Sequence, residues 1–158
     1  MILWRIAAET RRYAADDLSG GGAATHPGRW NADKQAVLYA APSIAVAVLE
    51  TAAHMDDAGL PLNRYLIRID VPDDVWSARE ELDASALPVT WSAIPAGRAS
   101  IKLGADWLTS LRTAILLLPS VIVPEERVAL INPGHPWSAR LTATIVRQFD
   151  YKRLFRPR

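Results

Sequence analysis

The stretch Arg64-Tyr65-Leu66-Ile67-Arg68-Ile69-Asp70-Val71 places Tyr65, Ile67, Ile69 and Val71 on one side and Arg64, Leu66, Arg68 and Asp70 on the other. That period of two is a strand's, with one face against a core and the other half exposed. Working outward, further strand signals fall at Ile2–Ile6, Ala36–Ala41, Ala114–Leu118, Ser120–Val123, Val128–Ile131 and Leu141–Arg147. Helix signals are fewer. Ser43, after Pro42, can cap a helix running to about Met55, and Asp106–Arg112 suits another. Strands gather at both ends of the chain without regular strand-helix alternation, so an α+β fold is expected rather than a doubly wound parallel sheet.

Composition removes options. The 158 residues, 50% hydrophobic and 22% charged, suit a single domain over 1–158. Eighteen Lys and Arg against seventeen Asp and Glu leave a net charge of +1, which offers no electrostatic case for a nucleic-acid or membrane partner. With no cysteine, thiolate nucleophiles, disulfides, iron-sulfur clusters and cysteine-bound zinc are excluded. His26, His54 and His135 lack the spacing of a metal-binding pair, and no metal is expected. The apolar opening is broken at Arg5 and the uncharged run Gln35–Leu49 at Pro42, so neither makes a membrane segment; a soluble, cytoplasmic protein is expected.

The run Gln35–Ala53 holds only two ionisable side chains, Tyr39 and Glu50. A helix so apolar must be largely buried, and an unpaired carboxylate on it costs several kcal/mol. Glu50 therefore sits on an exposed stripe, pairs with His54 one turn on, or faces a functional cleft. Upstream, Ser19-Gly20-Gly21-Gly22 leads to Gly28-Arg29-Trp30-Asn31. The glycines miss the dinucleotide fingerprint, but Arg29 offers a planar fork for phosphate oxygens and Trp30 a flat face beside it. Trp4, Trp76, Trp91, Trp107 and Trp137 are expected as core or semi-buried packing. Asn132 and His135 suit a turn. The one basic run, Lys152–Arg158, reads as a solvated end or as a patch for DNA or an acidic partner.

Gly28-Arg29-Trp30-Asn31, Val37-Leu38-Tyr39-Ala40, Ala47-Val48-Leu49-Glu50, Leu117-Leu118-Pro119-Ser120-Val121-Ile122-Val123-Pro124 and Ile131-Asn132-Pro133-Gly134-His135-Pro136 follow one another in an order that resembles the RES-domain family. That family is named for an arginine, a glutamate and a serine, and Arg29, Glu50 and Ser120 stand at the matching positions. The resemblance runs from Trp4-Arg5-Ile6 to Phe149–Leu154. It departs from the family's pattern at Arg127, where a polar amide is usual, and at Asp33-Lys34, where a glycine is usual.

The resemblance implies a bacterial toxin with an ADP-ribosyltransferase-like core of two packed, mainly antiparallel sheets and flanking helices. It also implies an enzyme that takes NAD as substrate, needs no further cofactor, and cleaves the nicotinamide-ribose bond with water or inorganic phosphate as acceptor. The implied partner is an Xre-type antitoxin with a helix-turn-helix domain. On this reading Glu50, Arg29 and Tyr39 are catalytic, and Arg29, Trp30, Asn31, Tyr39 and Ser120 bind NAD. Glu50 would hold the ribose hydroxyls as oxocarbenium charge develops, and Arg29 would clamp the diphosphate. Tyr39 would stack on nicotinamide or ribose, while Ser120 would contact ribose or hold Arg29 and Glu50 in register. A mono-ADP-ribosyltransferase with a protein acceptor is the rival within the class, and a non-enzymatic interaction module the rival outside it. An RNA-cleaving toxin is disfavoured by the +1 charge.

Overall fold

The structure, a computed structural model, describes residues 1–55 and 60–155. Strand β1 (Ile2–Ala7) is followed by a short helix α1 (Gly21–Thr25), strand β2 (Leu38–Ala40), helix α2 (Ile44–Ala52) and strand β3 (Tyr65–Asp70). Then come α3 (Asp73–Ser77), β4 (Glu80–Glu81), α4 (Arg98–Ser110), β5 (Ile115–Pro119), β6 (Arg127–Ile131) and β7 (Thr142–Gln148). One sheet has the order β1-β3-β7 and the other β2-β6-β5-β4; every pairing is antiparallel except β4 with β5. The expected α+β architecture of two mainly antiparallel sheets is the observed one.

Strand periodicity explains the layers. Leu3 and Ala7 of β1 and Ile67 and Ile69 of β3 meet Leu38, Ala40, Ile115, Leu117, Ala129 and Ile131 of the second sheet in one core. The alternate residues Leu116, Leu118, Val128 and Leu130 face the other way, into a second core closed by Trp30, Val46, Ala47, Trp91, Trp107 and Leu108. Strand β5 is thus buried on both faces, which is why it reads as an unbroken apolar run. Helix α2 crosses the outer face of the first sheet, where Val48 joins Ile6, Leu66, Phe149 and Tyr151.

Several expected elements are corrected. Ser120–Val123 is a turn and not a strand, because the Ser120 hydroxyl accepts the amide protons of Ile122 and Val123, which a ladder would need. The helix read at Asp106–Arg112 begins at Arg98; its buried face, Ser100, Gly104, Trp107 and Leu108, keeps helical spacing but starts on small residues that hide the apolar period. The glycine stretch is partly helical, as α1, and the helix after Ser43 ends at Ala52 instead of about Met55. Trp137 is 41% exposed, corrected from packing to the surface, with Arg140 across its ring at 5.9 Å. Of the basic run, Lys152 and Arg153 lie exposed near the end of the described chain, and 156–158 fall outside the described residues. Lys34, where glycine is usual, has φ 62°, in the left-handed region that favours glycine.

Candidate active site

Helix α2 begins at Ser43, whose side chain accepts the Val46 amide proton at 3.2 Å, and buries Val46, Ala47 and Val48. Burial of that face leaves Glu50 half-buried, aimed at the end of β5. There the fully buried Ser120 donates its hydroxyl to Glu50 Oε1 at 2.5 Å. The same Oγ accepts from Ile122 N and Val123 N, both at 3.1 Å, so its single proton has one direction left, toward the carboxylate. His54 does not pair with that carboxylate: its Nδ1 lies 2.7 Å from the Glu50 backbone oxygen.

Arg29 sits in the loop between α1 and β2. Its Nη1 donates to the carbonyls of Trp91 and Ala93, each at 2.8 Å, which fixes the guanidinium while leaving further N–H donors for a ligand. Burial lowers the Arg29 pKa below its ordinary value, and the charges of Glu50 and Tyr39 oppose that shift. Arg29 and Glu50 therefore share one electrostatic neighbourhood, each held by its own hydrogen bonds.

Tyr39 comes up behind this loop. Its hydroxyl accepts from Trp30 N at 3.0 Å and donates to Asn31 Oδ1 at 2.8 Å. The same Asn31 oxygen takes the Gly28 amide proton at 2.8 Å, and its amide nitrogen donates to Ala23 O and Gln35 O, both at 2.9 Å. Burial pushes the Tyr39 phenol up to about 12, against the opposing pull of the Trp30 hydrogen bond and the Arg29 charge. A Cβ on Gly28 would stand 2.7 Å from the Tyr39 hydroxyl, so glycine is what lets the loop lie on the ring.

The structure thus joins Glu50 to Ser120 directly and sets Arg29 in their field. Trp30 and Asn31 are placed differently from expectation. At 3% exposure the Trp30 ring is part of the second core, and Asn31, at 0%, spends its amide on the loop's own backbone. Both hold Arg29 from behind because the aromatic volume and the buried amide find apolar packing and backbone partners there. The turn reading of Asn132 stands: its side chain donates to Leu108 O and accepts from Gly134 N.

Sequence reasoning passed over the Trp91 and Ala93 carbonyls and Gly104, which support the Arg29 loop, and the buried Arg5 apart from it. The Trp91 and Ala93 carbonyls are backbone groups with no side-chain signature. Gly104 of α4 packs so closely on the loop that a Cβ there would lie 1.8 Å from the Trp30 carbonyl oxygen. Arg5 has a buried Nη1 with no hydrogen-bond partner among the described residues, in a cavity of about 120 Å³ with Tyr13, Asp17 and Gly20 to Gly22. Desolvation lowers its pKa and Asp17 partly restores it. An arginine on the inward face of β1, between Leu3 and Ala7, was the available signal.

The RES domain model matches residues 2–153. The chain is 54% identical to a protein described as a Prs ADP-ribosylating toxin from Sphingobium sp. (strain YBL2), covering 94% of this chain and 92% of that one. It is 36% identical to Toxin Res of Yersinia enterocolitica, over 85% of this chain and 86% of that one. In fold it is similar to a chain in the crystal structure of the M. tuberculosis MbcT-MbcA toxin-antitoxin complex, with a TM-score of 0.66, 18% identity, and 92% and 84% of the two chains covered. Family model and relatives agree, and the chain belongs to the RES domain family.

Proposed function

We propose that this chain is the toxin of a toxin-antitoxin pair and that its site breaks the nicotinamide-ribose bond of NAD. The observation that carries the reading is the 2.5 Å Ser120–Glu50 hydrogen bond, which holds a carboxylate still within the electrostatic reach of the Arg29 guanidinium. In NAD the leaving group is a cationic pyridinium. The C–N bond breaks with its electron pair going to nicotinamide, which departs neutral and needs no general acid. Charge develops on the ribose ring instead. A fixed carboxylate at the ribose hydroxyls stabilises it more in the transition state than in the ground state. Arg29 takes the diphosphate, and its tether to the Trp91 and Ala93 carbonyls sets where the ribose lies.

The acceptor's oxygen then bonds to the ribose carbon and gives up its proton. Water or inorganic phosphate fits the reading as acceptor. A protein acceptor is the second reading, favoured by the 54% identity to a relative named an ADP-ribosylating toxin. An antitoxin partner is supported by the similar fold solved in a toxin-antitoxin complex, and we assign it to the Xre type with a helix-turn-helix domain. NAD is the only small molecule the reading requires. Among the described residues no helix is long and apolar enough to cross a membrane.

The test is nicotinamide release from NAD by the purified protein, with and without phosphate and with candidate protein acceptors. Formation of ADP-ribose 1-phosphate selects phosphorolysis, free ADP-ribose hydrolysis, and a labelled protein transfer. No release under any condition leaves the interaction module as the better account.

A further inference from the structure

We propose that the groove between α2 and the segment after β7 receives an apolar segment of the antitoxin flanked by carboxylates. The inference rests on the toxin-antitoxin reading above. The groove encloses about 430 Å³; Ala45, Leu49 and Ala52 of α2 form one wall, and Phe149 and Leu154 the other. It shares no residue with the Glu50, Ser120, Arg29 and Tyr39 cluster.

Two features define what fits. The first is uncovered apolar surface: Leu49 is 36% exposed, Leu154 45% and neighbouring Phe155 61%. Exposed apolar side chains gathered about one concavity mark an interaction surface. The second is charge. Arg147 and Arg153 stand at the rim, and among the described residues neither has a carboxylate within ion-pair distance. Arg147 is held over the Phe149 ring at 5.5 Å, and Lys152 adds a third cation nearby. Among the described residues the one carboxylate lining the groove, that of Asp150, has Oδ1 committed to the Lys152 amide. In a chain of net charge +1 this is a local excess of cations around an apolar floor, complementary to apolar side chains flanked by Asp or Glu.

The shape selects a protein segment. A concave groove lined mainly by aliphatic side chains suits the side chains of a protein segment better than a flat bilayer surface, and its aromatic lining residue, Phe149, already lies under Arg147 and offers nucleic acid no bare ring there. Leu49 directly precedes Glu50 in α2, so a segment seated in the groove lies against the helix that carries the proposed catalytic carboxylate.

The experiment measures affinity between the full-length protein and the purified antitoxin encoded beside it, for the parent, for Leu49→Glu, and for Arg147→Glu combined with Arg153→Glu. Each variant is expected to bind at least tenfold more weakly, and parental affinity to fall as salt is raised, while NAD turnover without antitoxin stays at the parental rate. In parallel, amide exchange in the parental complex is expected to slow over 44–52 and 149–154. Parental binding by both variants, or no added protection in those segments, overturns the groove and leaves the antitoxin reading standing. An antitoxin that does not bind the parent at all overturns both. Binding of the parent to anionic vesicles or DNA that the charge-reversed variant loses, with antitoxin affinity intact, reassigns the groove and also overturns the proposal.

Discussion

Ser120 and Glu50, 70 residues apart, meet through a 2.5 Å hydrogen bond in which the serine's proton has no other acceptor. On the proposed function the serine would act on the carboxylate's position rather than as a nucleophile. Replacing Glu50 by Gln keeps the shape and removes the charge. We expect NAD turnover to fall about a hundred- to a thousandfold with NAD affinity changed only a few-fold. Nicotinamide release and a binding titration on the same preparation check this, and parental turnover in Glu50→Gln removes the assigned role.

Ser120→Ala should behave differently. It frees Glu50 and leaves the Ile122 and Val123 amides without their acceptor, so both kcat and stability drop, the latter by about 1–3 kcal/mol. Ser120→Thr restores the hydroxyl, and recovery of kcat by that variant separates positioning from bulk destabilisation.

Arg29 is tied to two carbonyls by a single nitrogen, so on the proposed function it would meet the diphosphate from a fixed stance. Arg29→Lys retains the charge but loses the planar fork, and KM for NAD should rise about tenfold or more with a smaller change in kcat. A kinetic series at fixed enzyme concentration reads the split; an unchanged KM moves the diphosphate elsewhere.

Tyr39 carries a pH signature. Burial pushes its phenol up to about 12 from an ordinary value of 10.0, so the folded state keeps a proton that the unfolded chain loses in between. Its contribution to stability is complete below the unfolded value and disappears as pH rises through the folded one. Tyrosinate absorbance should show late-titrating phenols, one of which Tyr39→Phe removes, leaving Tyr151, which burial also raises. The same variant loses the bonds to Trp30 and Asn31 and should raise KM by loosening the Arg29 loop.

Two backbone positions give opposite stability predictions. Gly104→Ala drives a methyl into the Trp30 carbonyl, 1.8 Å from where its carbon would sit, so the variant should unfold well below the parent or fail to accumulate. Lys34→Gly relieves a left-handed residue, and thermal unfolding should show a gain of about 0.5–1 kcal/mol.

Much of this was legible beforehand. Alternation in Tyr65–Asp70 and the apolar run Ile115–Pro119 identified strands because side-chain period is a local property and burial selects it directly. Ser43 marked the start of α2, and the isolation of Glu50 in apolar helix marked a carboxylate in need of a partner, which Ser120 supplies. Less legible were the ends of elements, such as Arg98 for α4, where small residues erase the period.

What the sequence alone determined was therefore most of the strands and the start of α2, the absence of thiol chemistry, and Arg29 and Glu50 as the groups to watch. The tertiary structure decided what those groups touch. It sent Trp30 and Asn31 behind the Arg29 loop, tied Tyr39 to that loop's backbone, made Ser120 the partner of Glu50, and set Gly104 against Trp30. Local sequence encodes φ, ψ and which face is apolar. A hydrogen bond across 70 residues, or to a backbone carbonyl that every residue carries, is specified only when two sheets and their covering helices close around it.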